Sequence, residues 1–197
     1  MATIVEHDKR RQEILQRALD VFIDEGYEDV TFQKIADRCG ITRTTLYIYF
    51  KNKREIFLWS IKQLTETLEV QLLEVVKDTS LSSEAALKKI FRIIIDVCQE
   101  NPKLFTVLLS YLIQLQKSGG DPEERVRRRV IKIRHIICIV LIRGMKSGEV
   151  KKVNLKPTTE MLYSVFESAI FKIAVLNKTE ISDMIDVADV AIENLMA

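Results

Sequence analysis

TFQKIADRCGITRTTLYIYFKNK, residues Thr31 to Lys53, holds two short amphipathic segments that meet at one glycine, Gly40. Thr31 and Thr42 each stand just ahead of a segment, where a hydroxyl can accept a backbone N–H left free at a helix start. Gly40 can adopt the left-handed conformation that closes the first segment. Ile35 and Ala36 turn one side of that segment inward, and the small Ala36 lets two helices approach closely. In the second, at ~100° per residue, Leu46 and Phe50 point into a core with Tyr49 at its edge. Thr44, Thr45, Tyr47 and Ile48 point away, and Arg43 sits on the flank. This is the pattern of a helix-turn-helix, in which one helix braces against the DNA backbone and the next lies in the major groove.

The charge distribution agrees with that reading. Between Lys34 and Arg54 stand Lys34, Arg38, Arg43, Lys51, Lys53 and Arg54 against Asp37 alone, while the preceding stretch carries Asp20, Asp24, Glu25, Glu28 and Asp29. The chain as a whole has a formal net charge of only +2, so the positive potential is local to the motif, as a phosphate-contacting surface requires.

Outward from the motif, apolar residues recur at three and four rather than alternating, which predicts an all-α fold. Ile14, Leu15, Ala18, Leu19, Phe22 and Ile23 form one stripe of a helix over about Asp8 to Glu25, ended by Gly26. A connecting helix follows over Lys53 to Lys77. Ser82 caps the next helix. Asn101-Pro102 and Asp121-Pro122 place a cap and then a proline at two further helix starts. Pro157-Thr158-Thr159 opens an apolar helix, Met161 to Leu176, and Thr179 to Ser182 separates it from a last one. The expected organisation is about nine helices: a helix-turn-helix domain over residues 1–53, the connecting helix 53–77, and a second domain over 78–197.

Several function classes are excluded or disfavoured. Cys39, Cys98 and Cys138 are odd in number and set in apolar patterns, which predicts reduced core thiols and a reducing compartment. No charged-then-apolar leader opens the chain, so a cytoplasmic protein is expected. The most apolar runs, around Ile93 to Val97 and Ile136 to Ile142, are broken by charge well before the ~20 residues a membrane span needs. His135 and Cys138 lie three apart without further ligands to complete a metal site. No phosphate loop, nucleophile elbow or catalytic carboxylate pair is present, so neither a resident cofactor nor an enzyme is expected. The basic run Arg125, Arg127, Arg128, Arg129, Lys132, Arg134 reads as a solvated helix face partly balanced by Glu123 and Glu124, with an anion site as the competing reading.

Ile14-Leu15, Ala18, Phe22, Gly26-Tyr27, Thr31, Ile35-Ala36 and the run GITRTTLYIYFKNKREIF from Gly40 to Phe57 resemble the DNA-binding domain of the tetracycline-repressor (TetR) family. The likeness covers the first quarter to third of the chain; the rest shares only length and helical pattern. It implies a homodimeric transcriptional regulator, most often a repressor, that binds a near-palindromic double-stranded operator and is released by a small-molecule inducer. By the same resemblance Thr42, at the start of the reading helix, is a DNA-binding position, and Arg43, Thr44 and Thr45 stand at base or adjacent phosphate contacts. Thr31, Tyr47, Tyr49 and Lys53 stand at phosphate contacts. Ile48 departs from the family, where a polar residue is common; it could meet a thymine methyl or merely pack on its neighbours. For the inducer cavity the expected lining is Leu108, Tyr111, Leu112, Cys138, Tyr163 and Phe166, which suits an apolar or amphipathic ligand. Leu162, Phe166, Ala169, Ile170, Ile173, Ile185 and Ile192 are expected at a two-fold interface of the last two helices, with internal burial as the competing reading. The rival function is a sensing or scaffolding protein whose head no longer reads DNA.

Overall fold

The computed structural model describes residues 2–178 and 180–197, with side chains from Glu6 onward; Met1 of the expected first domain and Thr179 of the expected separator lie outside the described residues. Nine helices form among the described residues: α1 Ala2–Glu25, α2 Phe32–Cys39, α3 Arg43–Tyr49, α4 Lys53–Lys77, α5 Ser83–Glu100, α6 Pro102–Lys117, α7 Pro122–Ser147, α8 Leu155–Ala174 and α9 Asp183–Glu193. The fold is all-α, with one isolated bridge between Val150 and Met196. No described helix is long and apolar enough to cross a membrane.

The chain divides into two compact units, and the division runs through helices. One unit takes Met1–Thr67 with Val107–Gln114, the other Leu68–Thr106 with Leu115–Ala197.

In the first unit, Ile14, Leu15, Ala18, Val21 and Phe22 of α1 are almost fully buried, as their spacing requires. Gly26 ends α1 with φ +80°, a conformation open to glycine at little cost. Thr31 accepts the Lys34 N–H at 3.3 Å to start α2, and Gly40 closes that helix with φ 66°. Ile41 N–H then donates back to the Ala36 carbonyl at 3.0 Å, so the chain leaves α2 through a fixed two-bond turn. Ala36 has no exposed surface. Behind the motif, Phe22, Tyr27, Phe57 and Tyr111 form an aromatic cluster with centroids 4.8–5.8 Å apart. Burial, then the neighbouring Tyr111, pushes the Tyr27 phenol up to about 12.

The second unit is built around α5, which packs against α7, α8 and α9. Ile90 and Phe91 of α5, Ile137 and Leu141 of α7, and Leu162 and Phe166 of α8 fill its core. Phe91 stacks on Phe166 at 4.4 Å. Gly144 of α7 is required where α5 begins: a Cβ there would lie 2.8 Å from that of Ser83 and 2.4 Å from Val150 Cγ2. Arg143, one residue earlier, donates to the carbonyls of Val76, Asp78 and Leu81 at 3.2–3.4 Å, satisfying acceptors freed where α4 ends.

Three local expectations are corrected. α1 starts six residues before Asp8, beyond the reach of its apolar stripe. The Asn101 amide turns back to the Val97 carbonyl at 2.9 Å and so closes α5 instead of capping α6. α8 starts at Leu155, with Pro157 inside its first turn, where no intrahelical N–H is needed.

Candidate nucleic-acid interface

The seven residues of α3 are too few to hold a helix alone, and two are threonines with poor helix propensity. Three tertiary anchors compensate. Thr42 caps the start by accepting the Thr45 N–H at 3.0 Å. Leu46 is fully buried, which contributes about 2 kcal/mol. Phe50, 2 % exposed and extended, closes the helix and donates its N–H to the Leu46 carbonyl.

With Leu46 fixed inward, Thr44 and Ile48 lie on the opposite face one turn apart. Both are exposed, and Ile48 reaches 70 %. The aromatic neighbours are held to the sides. Tyr47 rests on Phe32 of α2 at 4.5 Å and accepts a hydrogen bond from the Arg43 guanidinium at 3.2 Å. Tyr49 is half-buried and stacks on His7 of α1 at 4.5 Å. Thr45 is also half-buried, its hydroxyl 2.8 Å from that of Thr42. The open face is thus Arg43, Thr44, Tyr47 and Ile48.

Lys53 is placed differently from the expected phosphate contact. Its ammonium donates to the carbonyls of Tyr27, Glu28 and Val30 at 2.9, 2.8 and 3.0 Å, which uses all three of its donors. Burial lowers its pKa, and Glu28 and Asp29 oppose that shift. The residue ties the start of α4 to the segment between α1 and α2. Two other cations of the basic cluster are also spent: Lys34 pairs with Glu25, and Arg38 with Asp24 at 3.1 Å. The acids of α1 therefore neutralise part of the local positive potential. Arg43, Lys51 and Arg54 make no ion pair among the described residues and carry what remains. A surface cleft of about 460 Å³ lies along this paired seam, lined by Val21, Glu25, Lys34, Asp37 and Arg38.

Residues 14–58 match the sequence model of the "Bacterial regulatory proteins, tetR family". Over this stretch the chain is similar to the TetR family. The matched residues run from the buried half of α1 through the first turn of α4. The fatty acid metabolism regulator protein of Bacillus subtilis is 22 % identical over 162 residues, 80 % of each chain. A solved TetR transcription regulator from Haloarcula marismortui superposes with a TM-score of 0.86 at 22 % identity, covering 96 % of this chain and 100 % of that one. The FadR regulator of Bacillus subtilis, solved in complex with stearoyl-CoA, gives 0.73 at 20 % identity over 94 % and 97 %. The solved neighbours extend the shared fold through the second unit.

The two other expected residue sets, the dimer interface and the cavity lining, are placed as follows. Leu162, Phe166, Ala169, Ile173 and Ile192 are 0–2 % exposed and belong to the internal core, so they are closed to a partner; Ile170 and Ile185 are half-buried. The stripe that fills the core and the stripe left over are adjacent on the same helices, and sequence alone does not separate them. The exposed large apolar residues of this region are Met161, Phe171, Val175 and Leu176 of α8 and its end, with Val187 and Val190 of α9.

The expected cavity lining is divided. Leu108, Tyr111 and Leu112 belong to the first unit; Cys138, Tyr163 and Phe166 belong to the second. Tyr111 is part of the aromatic cluster, 2 % exposed, and Phe166 is part of the core stack. Of the basic run on α7, Lys132 pairs with Glu69, and Arg134 pairs with Glu160 and lies over the Tyr163 ring at 4.7 Å. Arg125, Arg127 and Arg128 are exposed. No group of three or more His, Cys, Asp or Glu able to hold a metal occurs among the described residues.

His7 and Arg11 were not legible as parts of the site. His7 precedes the apolar stripe of α1, and nothing in its neighbours marks a ring that stacks on Tyr49. Arg11 lies over Phe50 at 4.9 Å and over Trp59 at 4.3 Å, and so braces the end of α3.

Proposed function

We propose that this chain is a dimeric, cytoplasmic repressor that reads a near-palindromic operator with α3 and leaves it when an amphipathic acyl ligand binds. The observation that carries the DNA-reading part is the open face of α3, with Thr44 and Ile48 opposite the buried Leu46 and Arg43 beside them. Such a face, held rigid by the Thr42 cap and the Leu46 and Phe50 anchors, suits contacts to base edges and phosphates. A two-fold dimer would set two such helices about one DNA turn, ~34 to 36 Å, apart.

The exposed apolar stripe of α8 and α9 supports the dimer. Met161, Phe171, Val187 and Val190 are each 46–59 % exposed, and water contact over such a stripe is relieved by a second copy. An acyl ligand is supported by the relatives, since the Bacillus subtilis neighbours are a fatty acid metabolism regulator and a FadR bound to stearoyl-CoA. A ligand releases DNA only to the extent that it prefers the conformer with the wrong head spacing.

A shift assay with an operator selected by the full-length protein tests this reading. Stearoyl-CoA, added at micromolar concentration, is expected to release the DNA, while free coenzyme A is not. Retention of the complex at saturating stearoyl-CoA would remove the acyl ligand from the proposal.

A further inference from the structure

Ile48 is an apolar residue at the centre of a surface that is otherwise hydroxyl and guanidinium. It lies about 200° from Leu46 around α3, and Thr44 lies about 200° the other way, so the two bracket the outermost line of the helix. At 70 % it is more exposed than any other large hydrophobic residue recorded in the structure. Packing on its neighbours is therefore not what holds it there. The flanking rings are engaged elsewhere, Tyr47 with Phe32 and Arg43, Tyr49 with His7. Nor does helix stability account for it, because a β-branched residue on an exposed turn of a seven-residue helix is a poorer choice than Ala, Glu or Lys.

A major groove offers such a side chain one apolar partner, the C5-methyl of thymine. From these observations we infer that Ile48 is a specificity-determining residue that requires a thymine methyl at one symmetry-related position in each half-site. The inference rests on the DNA-reading function proposed above. It also fixes a location. Thr44 and Ile48 are about 6 Å apart along the helix axis, which is under two base-pair steps of ~3.4 Å. The thymine that meets Ile48 therefore lies within about two base pairs of the position that Thr44 faces.

The test removes the methyl and the side chain independently. Full-length protein selects its operator from a randomised duplex library, and each thymine of the selected half-site is then replaced, in both halves at once, by deoxyuridine, which differs only in lacking the methyl. One such replacement is expected to weaken binding of the natural protein by about fifteenfold, or about fourfold per half-site. The Ile48→Ala protein, with an unchanged melting temperature because the residue is exposed, should bind the thymine operator correspondingly less tightly and be indifferent to that replacement. A 5-methylcytosine at the same position should recover part of the loss for the natural protein alone. Specific binding in which no thymine methyl matters, or in which Ile48→Ala responds to its loss as the natural protein does, would overturn the inference while leaving the DNA-reading function intact. Failure of the natural protein to select any sequence would overturn both.

Discussion

Lys53, expected at a phosphate contact, turns its ammonium onto the protein's own backbone. Three donors on one ammonium meet the carbonyls of Tyr27, Glu28 and Val30, all within 3.0 Å. Lys53→Met keeps the stem and removes the donors, so three acceptors beside the buried Tyr27 lose their partner. Urea unfolding of the full-length protein is expected to show a loss of about 1 to 3 kcal/mol. The slope of operator affinity against salt should stay within one ion of the natural value, because no phosphate contact is removed. A stable variant with a slope shallower by about two, one for each half-site, would return Lys53 to the DNA backbone. The sequence announced a cation at this position. It could not announce the geometry of a loop, between Gly26 and Thr31, whose carbonyls converge on that cation. Leu46, by contrast, was legible because a helix has one inward direction and apolar spacing marks it.

Among the elements, the start of α5 carries a titratable bond. Ser82 accepts the Ala85 N–H at 3.1 Å, while the Ser83 N–H donates to the Glu149 carboxylate, which also accepts from the Ser147 hydroxyl at 3.0 Å. The hydrogen bond from the Ser83 backbone, followed by that from Ser147, holds the Glu149 carboxyl below its ordinary value. A carboxyl lowered by folding stabilises the native state above its unfolded pKa of about 4.3. That contribution is lost as pH falls through the lower folded value. Glu149→Gln should therefore lower the urea midpoint at pH 7, and the difference between the two proteins should shrink on acidification to about pH 3. A difference constant with pH would separate Glu149 from this cap. Element positions were readable from caps and prolines, as at Asp121-Pro122, where Asp121 accepts the Glu124 N–H at 3.2 Å. Asn101 misled because an amide can face either neighbouring helix, and only packing selects the Val97 carbonyl.

For the whole molecule, the second unit has two apolar stripes on the same helices, and their assignment governs assembly. Phe166 lies within the core at 2 % exposure, whereas Phe171, five residues on, is 53 % exposed. Sedimentation of Phe171→Glu is expected to give a folded monomer, since a charge at a closed apolar contact is costly and one in water is not. Phe166→Ala should instead lose about 3 to 5 kcal/mol of stability. An unchanged dimer for Phe171→Glu would move the contact away from α8. Reading of DNA by α3 is the central claim, and it is tested most directly by the ratio of specific to non-specific affinity. On the operator it selects, at one fixed salt concentration, the natural protein should lose at least tenfold of that ratio on Arg43→Ala, as expected for a base contact worth about 1 to 3 kcal/mol in each half-site. Non-specific affinity should change little by comparison. A ratio that survives Arg43→Ala and Thr44→Ala together would contradict the assignment of α3 as the reading helix.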